Sequence, residues 1–188
     1  MAFVDVVLGI DLSLTGLGLV AVPADWDLLW SRVHRISLGV KLCDDASPRD
    51  HVMRRRALCD DVVRWASRRH VTHAWVEGYP IGRRNLFNLH KQAELRGVLE
   101  DRLAELGLYL NPVAEATARK LLLGKLPPTA RKEAVFSALD CVGAGFTDRD
   151  QADAFTVANY GLKELGAPWV SYGAPEAPQK RARKKRAA

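Results

Sequence analysis

The chain alternates short apolar runs with longer amphipathic stretches. Residues 4–12 form an apolar run whose end carries a carboxylate, Asp11, and Leu14-Thr15-Gly16 then marks a tight turn. Residues 18–22 make a second run, stopped by Pro23. After the polar Ala24-Asp25 break, residues 28–38 alternate weakly and predict a third strand, so the short connections imply an antiparallel meander. A helix is expected over 48–69, with Ser47 as its cap and Pro48 in the first position. Val52, Cys59, Val62 or Val63, and Ala66 recur there at helical spacing, while Arg54, Arg55, Arg56, Arg64 and Arg68 belong mostly to the wet side. A buried strand over 71–77 again ends on a carboxylate, Glu77. A helix over 85–106, a strand over 108–113, helices near 116–122 and 128–139, and a last helix over 149–165 complete the series. This order predicts an α/β fold, a mixed sheet with helices on both faces.

Composition narrows the class. With 188 residues, 48% hydrophobic and 27% charged, the chain is expected to build one globular domain over 1–172. Residues 173–188 read as a disordered basic tail. The formal charge of +6 is concentrated near its end: Lys180, Arg181, Arg183, Lys184, Lys185 and Arg186 are six of the 28 basic residues, leaving residues 1–178 with 22 to balance 22 acids. A neutral body with a cationic arm excludes a uniformly basic coat protein and favours a polyanionic partner. No apolar run reaches the roughly 20 residues of a membrane span, so no membrane partner is expected. The N-terminus shows no secretory pattern, and Cys43, Cys59 and Cys141 are odd in number and form no CxxC. These features predict a reducing, cytoplasmic setting without a disulfide framework or a thiolate zinc site.

Candidate chemistry lies with the acids. Asp11 and Glu77 end two strands that, as parallel neighbours, bring both side chains to one sheet edge, where ligand sites of open α/β sheets form. Asp150 and Asp153 are three apart near the start of the last helix and share a face. Four converging carboxylates call for a cation, and hard oxygen donors suit Mg²⁺ or Mn²⁺. Two such ions about 3.5–4 Å apart stabilise both oxygens of a phosphoryl displacement. Each member also has an ordinary reading as a turn residue, a loop acid or a first-turn acid favoured by the helix dipole. Thr147 and Asp148 read as caps of the last helix, so Asp148 is not taken as a primary ligand.

These residues resemble the RuvC-like Holliday-junction resolvases of the ribonuclease H-like superfamily. Gly9-Ile10-Asp11-Leu12-Ser13-Leu14-Thr15-Gly16-Leu17-Gly18 is similar to the family's first-strand motif, and Ala74-Trp75-Val76-Glu77 to its second acidic strand. Gln92-Ala93-Glu94-Leu95-Arg96-Gly97-Val98 resembles the helix that follows, and Asp150-Gln151-Ala152-Asp153-Ala154 the closing helix. Arg119-Lys120 with Gly124, and Lys132-Glu133-Ala134-Val135, stand in the places of its basic segments. The likeness spans roughly residues 5 to 165 in order. It implies a five-stranded mixed sheet, a homodimer, and a metal-dependent endonuclease acting on branched DNA: four-way junctions, and also forks and flaps. It implies Asp11, Glu77, Asp150 and Asp153 as ligands of two ions, with Asp11 between them, and Lys132 as a further active-site residue. Arg119, Lys120 and Lys132 would contact phosphate, and Arg83 and Arg84 would line the approach. Position 119 is Arg where cellular members usually have Lys, which suits phosphate binding better than proton transfer. The family's junction-entering aromatic has no obvious copy after Glu77; Tyr79 or Phe87 would have to stack on an opened base. Compactness, the altered loop and the basic tail favour a phage-encoded member. Two other classes stay open at this level. One is a different enzyme on the same scaffold, such as a ribonuclease acting on RNA–DNA hybrid or structured RNA, or an actin-like phosphotransferase. The other is a non-catalytic binder of branched DNA.

Overall fold

A computed structural model of the chain describes residues 4–13, 16–27, 29–39, 46–79, 86–124 and 131–173. Strand β1 (Val6–Leu12) pairs antiparallel with β2 (Leu17–Pro23), which pairs antiparallel with β3 (His34–Leu38). Helix α1 (Pro48–Arg68) then crosses to β4 (His73–Glu77), parallel to β1, and helix α2 (Leu86–Ala104) crosses to β5 (Leu110–Val113), parallel to β4. The strands form one five-stranded sheet in the order β3-β2-β1-β4-β5. Helices α3 (Glu115–Leu123), α4 (Arg131–Cys141) and α5 (Arg149–Glu164) close the chain. The mixed α/β architecture expected from the sequence is the one observed.

The strands of the sheet centre are buried on both faces, which is why they read as apolar runs and not as alternating ones. Residue parity still divides them. Val7 of β1 and Trp75 of β4 point to a core shared with α3, α4 and α5, whereas Leu8, Ile10, Ala74 and Val76 point to a core shared with α1 and α2. Asp11 and Glu77 have the parity of Val7 and Trp75, so both carboxylates emerge on the α5 face.

Helix α5 reaches that face through glycines. A Cβ on Gly9 would lie 2.1 Å from the Ala154 carbonyl oxygen, and one on Gly18 would lie 2.1 Å from the Asp150 carbonyl oxygen. With hydrogen in place of a methyl, helix backbone rests directly on strand backbone, and every α5 residue from Gln151 to Asn159 is buried. Helix α1 has the expected start: Ser47 and Asp50 form a reciprocal capping box, and Pro48 opens the first turn.

Two local expectations need correction. The third strand begins only at His34; a 3-10 turn at Trp30–Arg32 precedes it. Trp26 and Trp30 turn inward there to pack edge-on and tilted against Phe155. On α1, Val52 is exposed, and Leu58 joins Cys59, Val62 and Ala66 on the buried stripe. Among the described residues, no helix is long and apolar enough to cross a membrane.

Candidate active site

The carboxyl ends of β1 and β4 open on a cleft of about 230 Å³, lined by Asp11, Ser13, Glu77, Tyr79, Gln92, Glu115 and Asp150 among others. Sheet parity delivers Asp11 and Glu77. Asp150 comes from the first turn of α5, whose start is anchored by a small polar network. Asp148 caps the helix by accepting from the Gln151 backbone N–H at 2.9 Å. The Ser37 hydroxyl of β3 donates to Asp148, and Gln151 Nε2 donates to Ser37 Oγ at 3.1 Å. The cap thus ties α5 to the third strand, and Asp148 has the local role its position suggested.

Asp153 lies one helical turn further along, behind the cleft and 3% exposed. It is held there by Arg119 of α3. Arg119 Nε and Nη2 donate to the two Asp153 carboxylate oxygens at 3.2 and 2.8 Å, and Nη1 pairs with Glu115 one turn earlier on α3. Arg119, expected to contact phosphate, is only 4% exposed, and its guanidinium is paired with two carboxylates. The reason is the packing of α3 on α5, which turns Ala118, Arg119 and Leu122 inward together. Lys120, the next residue, faces solvent.

Charge accumulates in the cleft. Burial pushes the Glu77 carboxyl up to about 8, the negative charges of Asp11 and then Asp153 push the same way, and the Arg119 charge opposes them. Glu77 also shares a side-chain hydrogen bond with Asp11. This upward shift is the response of a carboxylate group with too few counter-charges. As chemistry, the set fits a hard divalent cation: oxygen donors from three elements meet where positive charge is short. As geometry, no three His, Cys, Asp or Glu side chains among the described residues are grouped closely enough to hold an ion as they stand. Asp153 is drawn to Arg119, and Glu77 is drawn to Asp11 through their shared hydrogen bond.

Tyr79 stands at the rim, 42% exposed, with the Arg96 guanidinium 4.9 Å from its ring centre. Lys132 lies in the first turn of α4, but its side chain is outside the described residues, as is that of Phe87. Arg83, Arg84, Lys180, Arg181, Arg183, Lys184, Lys185 and Arg186 also fall outside them. Glu115 and Gln92, both lining the cleft, were not singled out from the sequence. Spacing offered one clue: Glu115 and Arg119 are four apart, the spacing of a helical ion pair. Gly18 was quoted only as part of a motif, although a glycine inside a strand already signals close backbone approach.

No protein-family model matches the sequence, and a search of curated proteins finds no match. Solved structures are similar in fold. Thermus thermophilus RuvC in complex with a Holliday junction substrate superposes with a TM-score of 0.62 at 18% identity, covering 86% of this chain and 96% of that one. A second Thermus thermophilus RuvC structure gives 0.60 at 20% identity, over 86% and 97%. The yeast mitochondrial Holliday junction resolvase Ydc2 gives 0.54 at 13% identity, over 85% and 78%. The chain has the RuvC-like, ribonuclease H-like fold.

Proposed function

We propose that this chain is a metal-dependent, structure-selective endonuclease that hydrolyses phosphodiester bonds in four-way DNA junctions. The observation that carries the reading is the meeting of Asp11, Glu77 and Asp150 in one cleft at the carboxyl ends of β1 and β4. In the RuvC structure this fold is seen on a Holliday junction. Mg²⁺ or Mn²⁺, two ions per site, would be held by Asp11, Glu77, Asp150 and Asp153 and would supply charge stabilisation at the scissile phosphate. The remaining work belongs to the chain. Asp11 and Glu77, fixed on rigid strands, set the position of the donor group. The Asp148 cap and Ser37 hold the first turn of α5, and with it Asp150, against the sheet. Tyr79, at the rim over Arg96, offers a face on which an opened base stacks. Lys120, Lys132, Arg83, Arg84 and the basic tail at 180–186 supply phosphate contacts, and a homodimer places two such clefts on one junction.

The test is cleavage of an end-labelled four-way junction with Mg²⁺, beside linear duplex, flap and RNA–DNA hybrid. Paired, symmetric nicks on the junction are expected. Asp11→Asn should lower the rate about a thousandfold while leaving junction binding in gel shift intact. Cutting confined to the hybrid would replace this reading with that of a hybrid-specific ribonuclease. Junction binding without any cleavage would leave a non-catalytic binder.

A further inference from the structure

Arg119 is the one buried cation in contact with the acidic centre among the described residues, and the way it is used is specific. Its fork takes both oxygens of Asp153 through Nε and Nη2, and its remaining arm takes Glu115. All three groups sit on rigid helices, α3 and α5, packed on each other. Glu115 is partly exposed and lines the cleft, whereas Asp153 is buried behind it. Arginine suits this place because it stays charged when buried and presents donors at fixed angles to two carboxylates at once.

We propose that Arg119 is a resident counter-ion of the metal-free site: it stores Asp153 away from the cleft and releases it, keeping Glu115, when a divalent cation is bound. The proposal rests on the metal-site reading given above and adds a competition to it. Asp153 has two possible positive partners, and its affinity for one lowers its availability to the other. The acids are thereby kept folded together without metal, since one guanidinium offsets part of the repulsion that would otherwise push α3, α5 and the sheet edge apart. Binding of the ion then costs an ion pair inside the protein, so the site loads more weakly than its donors alone would allow.

The deciding measurement is the Arg119 Nε–H resonance of ¹⁵N-arginine-labelled wild-type protein, assigned by its absence in Arg119→Lys, while Mg²⁺ is titrated in. In metal-free protein it should be protected from solvent exchange, as a buried bonded N–H is. It should shift and lose protection along the same isotherm that calorimetry gives for Mg²⁺ binding. Calorimetry on Arg119→Gln and Arg119→Lys supplies the second arm. Removing the competitor in Arg119→Gln should tighten Mg²⁺ binding about tenfold, with a smaller gain for Arg119→Lys, which keeps the charge but not the fork. A resonance unmoved at saturating Mg²⁺, or variants that bind the ion no tighter than wild type, overturns the exchange while leaving the metal site standing. Absence of Mg²⁺ and Mn²⁺ binding in wild type and variants alike overturns both. If Arg119→Gln does not fold, the wild-type resonance and Arg119→Lys decide.

Discussion

On the face of the sheet that carries α1 and α2, Leu8, Ile10, Leu17 and Leu19 meet Leu58, Val62, Leu95, Leu99 and Leu103 in a core made of side-chain volume. On the opposite face α5 lies so close that Gly9 and Gly18 have no room for a methyl group, and the buried residues include Asp11, Arg119, Gln151, Asp153 and Asn159. The charged pairs differ in the same sense. Between α1 and α2, Arg55–Glu94 at 3.2 Å and Arg102–Asp60 at 3.3 Å are partly exposed pairs of the kind that adds little stability. Arg119–Asp153 is buried, so breaking it leaves a charge stranded. One face supplies stability that is insensitive to small shifts. The other converts close approach into placement, holding three acids from a strand end, a second strand end and a helix start within one cleft.

The contrast can be broken experimentally, most forcefully at Gly18. Gly18→Ala should destabilise by about 3 kcal/mol, the upper part of the over-packing range, because the new methyl meets the Asp150 carbonyl at 2.1 Å and the Gln151 nitrogen at 2.9 Å. Since relief requires the α5 start to move, junction cleavage by the folded variant should fall about a hundredfold. Urea unfolding and single-turnover cleavage check the two parts. Leu99→Ala on the other face should cost a similar amount, about 3 kcal/mol, yet leave the cleavage rate per folded molecule unchanged. Loss of cleavage there would erase the distinction between the faces. Ser47→Ala, which removes the α1 capping box, should cost about 1 kcal/mol in the same unfolding assay and nothing in cleavage. The smallest effect is chemical. Burial, followed by the Asp60 charge, pushes the Cys59 thiol up to about 12, so at pH 8 it stays protonated as well as inaccessible. Alkylation of native protein followed by peptide mapping should find exposed Cys141 modified and Cys59 untouched until urea unfolds the core.

Much of this arrangement was legible in the sequence because it depends on short-range rules. Apolar runs ending in Asp11 and Glu77 marked two strands that, if parallel neighbours, bring both acids to one sheet edge, and β1 and β4 do pair in parallel. Ser47 with Pro48 marked the start of α1, and Asp148 the start of α5. Arg119 escaped the same reasoning. Whether it faces water depends on how α3 seats on α5, and its partner Asp153 is 34 residues away. The third strand was overextended because Trp30 satisfies strand propensity, while its packing against Phe155 is a tertiary demand. Val52 failed for a related reason: helical spacing fits more than one stripe, and packing chose the one with Leu58.

The glycines also bear on how tolerance to substitution would look across the whole chain. In a saturation library scored for junction cleavage, Gly9, Gly18 and Gly161, where an added methyl would meet Trp75 at 2.6 Å, should be as depleted of variants as the acids themselves. A map of intolerance alone would then assign function to positions that carry no side chain. Scoring abundance beside activity separates the classes: the glycines lose both, whereas the cleft-lining Asp11, Glu77 and Asp150 lose activity and stay abundant.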